Sequence, residues 1–395
     1  MAKWTRRSFL TQAGFAAGTV LSAGGLAQLL STPVGAQPIT VAAPVITAQA
    51  GGEALAAAQA LIAASTAPVT TWDGPTDGPK AQPGKFIVYP SQDQRNGGAL
   101  GVGDGVKEAC EALGWQFRLI DGQGTTNGQA AAINQAIALK PDGIVLGTID
   151  AASQRTAIGT ALAQGIKIIG WHSAGTPGPQ PDLNLITNIE SDPVQTGAVS
   201  GAYTVAMANG QAGVAIFTDN TYAIAVVKSD EMRAAVEAVE GSSVLAFVDT
   251  PIAEVQTRMP PIMTSLYQQF GQQLNWMIAV NDLYFDFAIP TLRTLGAPNS
   301  GPPQMVSGGD GSVSAYDRVR QGQYQAATIP EPLNLHGWQA IDEMNRAFAG
   351  APPSGYVTPV HLVTMDNIQF DGGPNNIFDP DNGYRDQYKK IWGIA

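Results

Sequence analysis

The chain has 395 residues, a formal net charge of −11 and only 13% charged residues, with 45 glycines and 27 prolines. That length accommodates two domains with substantial cores, the apolar, loop-rich balance excludes a disordered chain, and the acidity argues against nucleic acid as a partner. A lone cysteine, Cys110, excludes an internal disulfide; beside Ala109 and Leu113 on a predicted helix, it reads as core packing.

Thr5-Arg6-Arg7-Ser8-Phe9-Leu10 resembles the twin-arginine export motif, an Ala/Gly-rich run follows over 13–30, and Val34-Gly35-Ala36 offers small residues for cleavage. Gly14, Gly18, Gly24 and Gly25 make this run a poor membrane span compared with ~20 strongly apolar residues. Residues 1–36 are therefore expected to be a signal peptide directing the chain to the periplasm. No cysteine near the cleavage site offers a lipid anchor. Cleavage would take three positive charges from the total and leave −14. The extension 37–84 contains a helix-prone segment, 53–64, and a Pro/Gly-rich stretch, 67–84, whose composition is that of a linker. Trp72 stands out there as a residue that should dock.

From Lys85 the apolar pattern alternates. Strands are predicted at 86–89, 115–120, 144–146 and 166–169, with helices at 102–113, 129–139 and 154–163. After a Pro/Gly-rich crossing, a strand at 185–189 precedes a helix from Pro193 that Asp192 should cap. Strands at 214–217, 244–248, 276–280 and 305–306 then alternate with helices at 225–239, 254–270 and 284–295, and a last helix is expected over 335–349. Such alternation requires right-handed crossovers and parallel sheets, so the fold class is α/β with two Rossmann-like lobes.

The buried strands end in polar residues. The first runs into Ser91, Gln92 and Asp93, the third into Asp150, the fourth into Trp171 and His172; later ones end at Asp219, Asn220, Asn281, Asp282 and Asp310. Ligands of open α/β sheets bind outside the carboxyl ends of the strands. Asn96, Asp150, Trp171, His172, Tyr222, Lys228, Asn281, Asp310 and Glu331 are accordingly the candidate ligand-binding residues, with Tyr89 near them. Planar amides and carboxylates bond neighbouring hydroxyls, and an aromatic face covers the C–H face of a sugar ring. Each of these residues alone could equally serve as a cap or turn.

Other chemistries find little support. The stretch GALGVGDGV has Val106 where a dinucleotide fingerprint needs its last glycine, and close helix packing or a mobile ligand loop explains its glycines as well. His172, His336 and His361 lack paired metal-ligand spacing, no serine sits in a nucleophile elbow, and Asp379, Asp381 and Asn382 miss the spacing of a calcium loop. No catalytic residue, metal or cofactor is expected.

Taken together in order, DGVKEACEALGW, KPDGIVLGTID, IESDPVQTG, AVNDLYFDFAIPTLRTLG, SGGDGS and ATIPEPLNLHGWQAID resemble the periplasmic sugar-binding proteins of ABC importers, in particular the ribose-binding-like type I group. The resemblance implies two lobes joined by three crossings, placed at 173–183, 329–334 and 354–358. It assigns 85–175 and 332–355 to the first lobe, and 176–331 with 356–395 to the second. It also implies hydroxyl-binding roles for Asn281 and Asp310, with Asp150, Asn96 and Glu331 at matching positions. The usual aromatic pair of the first loop is replaced by Gly98 and Ala99, and an expected arginine has only Lys228 as a loose counterpart. The implied function is capture of a monosaccharide or similar polyol and its delivery, by a monomer, to an ABC transporter permease. A sugar receptor for chemotaxis or a sensor kinase, and a twin-arginine exported oxidoreductase, are the alternatives.

Overall fold

The computed structural model describes residues 51–394; the leader motif lies outside them. Helix α1 (Gly51–Ser65) precedes β1 (Phe86–Ser91), α2 (Gly97–Leu113), β2 (Gln116–Asp121), α3 (Thr126–Ala138), β3 (Gly143–Gly147), α4 (Arg155–Ala163), β4 (Lys167–Trp171), β5 (Gly178–Gln180) and β6 (Leu185–Ile189). There follow α5 (Pro193–Met207), β7 (Gly213–Thr218), α6 (Ala223–Glu237), β8 (Ser243–Asp249), α7 (Val255–Phe270), β9 (Trp276–Ala279), α8 (Leu283–Thr294), β10 (Gln304–Ser307), α9 (Val313–Gln321) and β11 (Gln325–Thr328). The chain ends with α10 (Leu333–Ala349), β12 (Val363–Thr364), α11 (Ile368–Asp371) and α12 (Tyr384–Trp392).

Two six-stranded sheets result, in the orders β2-β1-β3-β4-β6-β5 and β12-β11-β10-β9-β7-β8. Both are parallel except for one short antiparallel edge strand each, β5 on β6 and β12 on β11. Read from its own first strand, each half places its second strand on one side and its third, fourth and fifth on the other. The alternation legible in the sequence is thus one βα unit used twice. Helices cover both faces, which explains why central strands such as Gly143–Gly147 are buried along their length.

Local chemistry sets the helix starts. The Asp192 carboxylate accepts from the Val194 amide at 2.9 Å, with Pro193 at the first helical position. Asn96 caps α2, accepting from the Gly98 amide at 3.0 Å. Helix α2 therefore begins before the predicted Val102 and includes the glycine run. A Cβ on Gly105 would lie 2.8 Å from the Asn334 carbonyl oxygen, and one on Gly337 would collide with the backbone of Gly105. The glycines let α2 and α10 pack closely, so this stretch is helix and not a mobile loop.

Three expectations need correction. Strand β6 pairs with β4 in the first sheet, Gly170 facing Asn188, so the chain leaves the first lobe after Ile189 and not within 173–183. The C-terminal tail does not stay on the second lobe. Ile368 and Phe378 pack there with Tyr316, but Tyr384, Tyr388, Ile391 and Trp392 join the first-lobe core on α10, where Trp392 stacks on Trp338 at 5.4 Å. Nor is 67–84 a loose linker. Helix α1 buries Ala54, Ala58 and Leu61 in the second-lobe core, and the following segment docks Trp72 between Tyr356 and Tyr388, at 5.4 and 5.3 Å. Among the described residues, two further passages between the lobes therefore accompany the three expected crossings.

Candidate functional site

The polar ends of β1, β3 and β4 in one lobe face those of β7, β9 and β10 in the other. Between them lies a cavity of about 30 Å³. Asn96, Thr148 and His172 line it from the first lobe; Tyr222, Lys228, Asn281 and Asp310 line it from the second, with Ile224, Ile252 and Val280 as its apolar wall. Asn96 and Thr148 follow β1 and β3, and Tyr222 and Asn281 follow β7 and β9. Those strand pairs are the points at which each sheet reverses its winding order, where α/β sheets open a crevice.

In the second lobe, Asn281 donates through Nδ2 to Asp310 at 2.8 Å and accepts from the Leu283 amide at 2.9 Å. Asp282, its neighbour, turns away from the cavity. Its carboxylate accepts from the amides of Gly311 and Ser312, each at 2.9 Å, from Gln325 at 2.9 Å, from Thr328 at 3.2 Å and from the Ser307 hydroxyl. Asp282 therefore holds the loop that carries Asp310. Burial raises the Asp310 carboxyl above its ordinary value, opposed by His172 and Lys228. Lys228 is 2% exposed; its ammonium donates to the Gly308 carbonyl at 2.8 Å and lies 3.8 Å from Glu331.

In the first lobe, the His172 ring stacks on Trp171 at 3.9 Å, with Nε2 3.3 Å from Glu331 and Nδ1 3.9 Å from Asp310. The Trp171 indole donates to His336 Nδ1 at 3.0 Å, so His336 carries its proton on Nε2 and gives it to Thr358 Oγ1 at 2.7 Å. The Thr358 and Ser191 hydroxyls share a hydrogen bond at 2.9 Å, and the Ser191 amide donates to Glu331 at 3.1 Å. This chain of bonds links the observed crossing after β6 with those that precede and follow α10. Burial pushes the His336 imidazole down to about 4, so it is neutral and its 3.6 Å approach to Glu331 is no ion pair. Burial alone would raise the Glu331 carboxyl, but His172 and Lys228 hold it well below the usual carboxylate range.

Six of the nine candidate ligand-binding residues thus meet in the cavity: Asn96, His172, Tyr222, Lys228, Asn281 and Asp310. Three do not line it. Trp171 is fully buried in the first-lobe core, with a ring face covered by His172. Glu331 sits among the crossings. Asp150 accepts from the Ser153 amide at 2.8 Å; burial raises its carboxyl, partly offset by the backbones of Ser153 and of Ala223, which opens α6 across the cleft. Tyr89, expected nearby, is core, its hydroxyl donating to the Ala99 carbonyl at 2.7 Å. Sequence reasoning missed Thr148, although it stands two residues past a predicted strand, and missed Ser191, His336 and Thr358, which no local pattern marks.

Two parallel α/β lobes joined by several crossings around a polar cleft define a hinged ligand-binding protein. Residues 86–352 match the family described as periplasmic binding protein domain, and the chain belongs to that family. Its fold is that of a glucose-galactose binding protein from Geobacillus stearothermophilus, with TM-score 0.63 and 18% identity over 73% of this chain and 99% of that one. It is equally that of a solute-binding protein from Burkholderia graminis solved with D-arabinose, with TM-score 0.63 and 18% identity over 74% and 98%. A Bacillus halodurans solute-binding protein solved with myo-inositol matches with TM-score 0.61 and 18% identity over 73% and 98%. No curated protein matches the sequence.

Proposed function

We propose that this protein is a periplasmic solute-binding protein that captures a monosaccharide or similar polyol between its lobes and delivers it, as a monomer, to an ABC transporter permease. The observation that carries the reading is the pairing of Asn281 and Asp310 from one lobe opposite Asn96 and His172 from the other. This set of amide, carboxylate and imidazole groups matches hydroxyls that both donate and accept. The apolar wall of Ile224, Ile252 and Val280 beside Tyr222 suits the C–H edge of the same ligand. The solved relatives named with glucose-galactose, D-arabinose and myo-inositol share this fold and support the same ligand class.

The cavity of about 30 Å³ is walled by residues of both lobes. A sugar therefore enters only when the lobes part, and binding must shift the opening equilibrium by its differential affinity for the two forms. A thermal-shift screen over pentoses, hexoses and polyols tests the reading. At ~100 times its dissociation constant the ligand should stabilise the protein by about 2.7 kcal/mol. Small-angle scattering with the best hit should show one chain's mass and a smaller radius of gyration. A screen with no stabilising sugar would refute the ligand class, and an unchanged radius would refute closure.

We further propose export by the twin-arginine route, supported by Arg6-Arg7 and the weakly apolar run behind them. Changing both arginines to lysine should leave unprocessed protein in the cytoplasm, scored by fractionation and the size of the mature chain. Normal processing would assign the leader to the general secretory route.

A further inference from the structure

The ends of β3 and β4 share a feature that the ligand reading does not use. Thr148 and His172 each follow their strand by one residue, and the strands pair with Gly147 opposite Trp171. Both residues adopt a left-handed backbone, φ 56° at Thr148 and 51° at His172. For a β-branched residue that conformation is a genuine outlier, because Cβ crowds the following carbonyl. The Thr148 amide is nonetheless bonded to the Trp171 carbonyl at 2.8 Å, so neighbouring structure holds the residue there.

The side chains compound the cost. Thr148 is 6% exposed, and its Oγ1 is buried without a hydrogen-bond partner. His172 Nε2, though 3.3 Å from Glu331, lacks the alignment of a hydrogen bond. On the adjacent strand end, Gln92 Nε2 is likewise buried and unpartnered. Buried polar atoms are almost always bonded in native structures. A strained backbone with an orphaned side chain disfavours threonine at position 148 on two separate counts, and such outliers gather at ligand sites.

We infer that Thr148 is a specificity-determining residue, whose hydroxyl bonds a hydroxyl of the bound polyol, and that the left-handed turns at Thr148 and His172 aim both side chains into the cavity they line. This rests on the polyol reading. The ligand would then be gripped through the ends of two adjacent first-lobe strands, opposite Asn281 and Asp310.

The test compares Thr148→Val and Thr148→Ser with wild type, using calorimetric titration with the best polyol of the screen and denaturant unfolding without it. Valine keeps the branched shape and removes the hydroxyl, so affinity should fall about 2- to 12-fold, the equivalent of one neutral hydrogen bond. Its unfolding midpoint should match or exceed wild type, because it no longer buries an unpartnered oxygen. Serine should restore wild-type affinity. A valine variant that binds as wild type does, or one that loses stability but not affinity, would overturn the inference and leave the polyol reading standing. If no polyol binds even wild type, both are overturned.

Discussion

Replacing Glu331 with glutamine will destabilise the protein by about 3–5 kcal/mol at pH 7, the usual cost of removing one partner from a buried ion pair. Glu331 is 2% exposed and is the carboxylate paired with Lys228, itself buried, at 3.8 Å. It also accepts the Ser191 amide at 3.1 Å and faces His172 Nε2 at 3.3 Å. Glutamine keeps the shape but removes the negative charge 3.8 Å from the Lys228 ammonium. The pH dependence has a definite sign. Because the folded carboxyl is held below its unfolded value, its contribution is complete above ~4.5 and is lost as pH falls toward the folded value. Denaturant unfolding should therefore show a gap between wild type and variant that holds from pH 7 to about 5 and narrows below ~4.5. A gap that widens on acidification would contradict the assignment of Glu331 as an ionised anchor of the crossings.

Asp282→Ala is expected to cost a similar amount, about 3–5 kcal/mol, for a different reason. The substitution strips the acceptor from two backbone amides, Gly311 and Ser312, and from the side chains of Ser307, Gln325 and Thr328. Each buried donor left without a partner costs ~1–3 kcal/mol, although such costs do not add. The loop that carries Asp310 loses its anchor at the same time, so ligand affinity should fall together with stability. Urea unfolding and a binding titration on one preparation separate this from a direct ligand role. Unchanged stability with weakened binding would place Asp282 in the ligand shell.

The contrast between Asn281 and Asp282 shows where sequence reading stops. Both end the same apolar strand and both are polar, yet one lines the cavity and the other faces inward to five donors. Nothing local separates them, because the direction of each side chain past a strand end depends on the loop from residue 308 onward. Trp171 and His172 pose the same problem, with the imidazole in the cavity and the indole behind it. Lys228, a candidate from the sequence although borne on a helix, is buried because α6 points its first turns at the cleft.

The α/β class, the two repeated halves and the strand ends around which the site is built are all legible in the order of residues. Apolar runs too short for helices and punctuated by polar residues admit few other folds. Tertiary structure alone decided the lobe boundary, since β6 belongs to whichever sheet supplies its hydrogen bonds, and that is β4. It also decided the fate of the two extensions. Trp72, Tyr388 and Trp392 carry no periodic signal that names a partner, and they find their places only where α10 and the last crossing present Trp338 and Tyr356 to them. Burial of aromatic surface is non-directional, so composition can say that such residues will dock but not on which lobe.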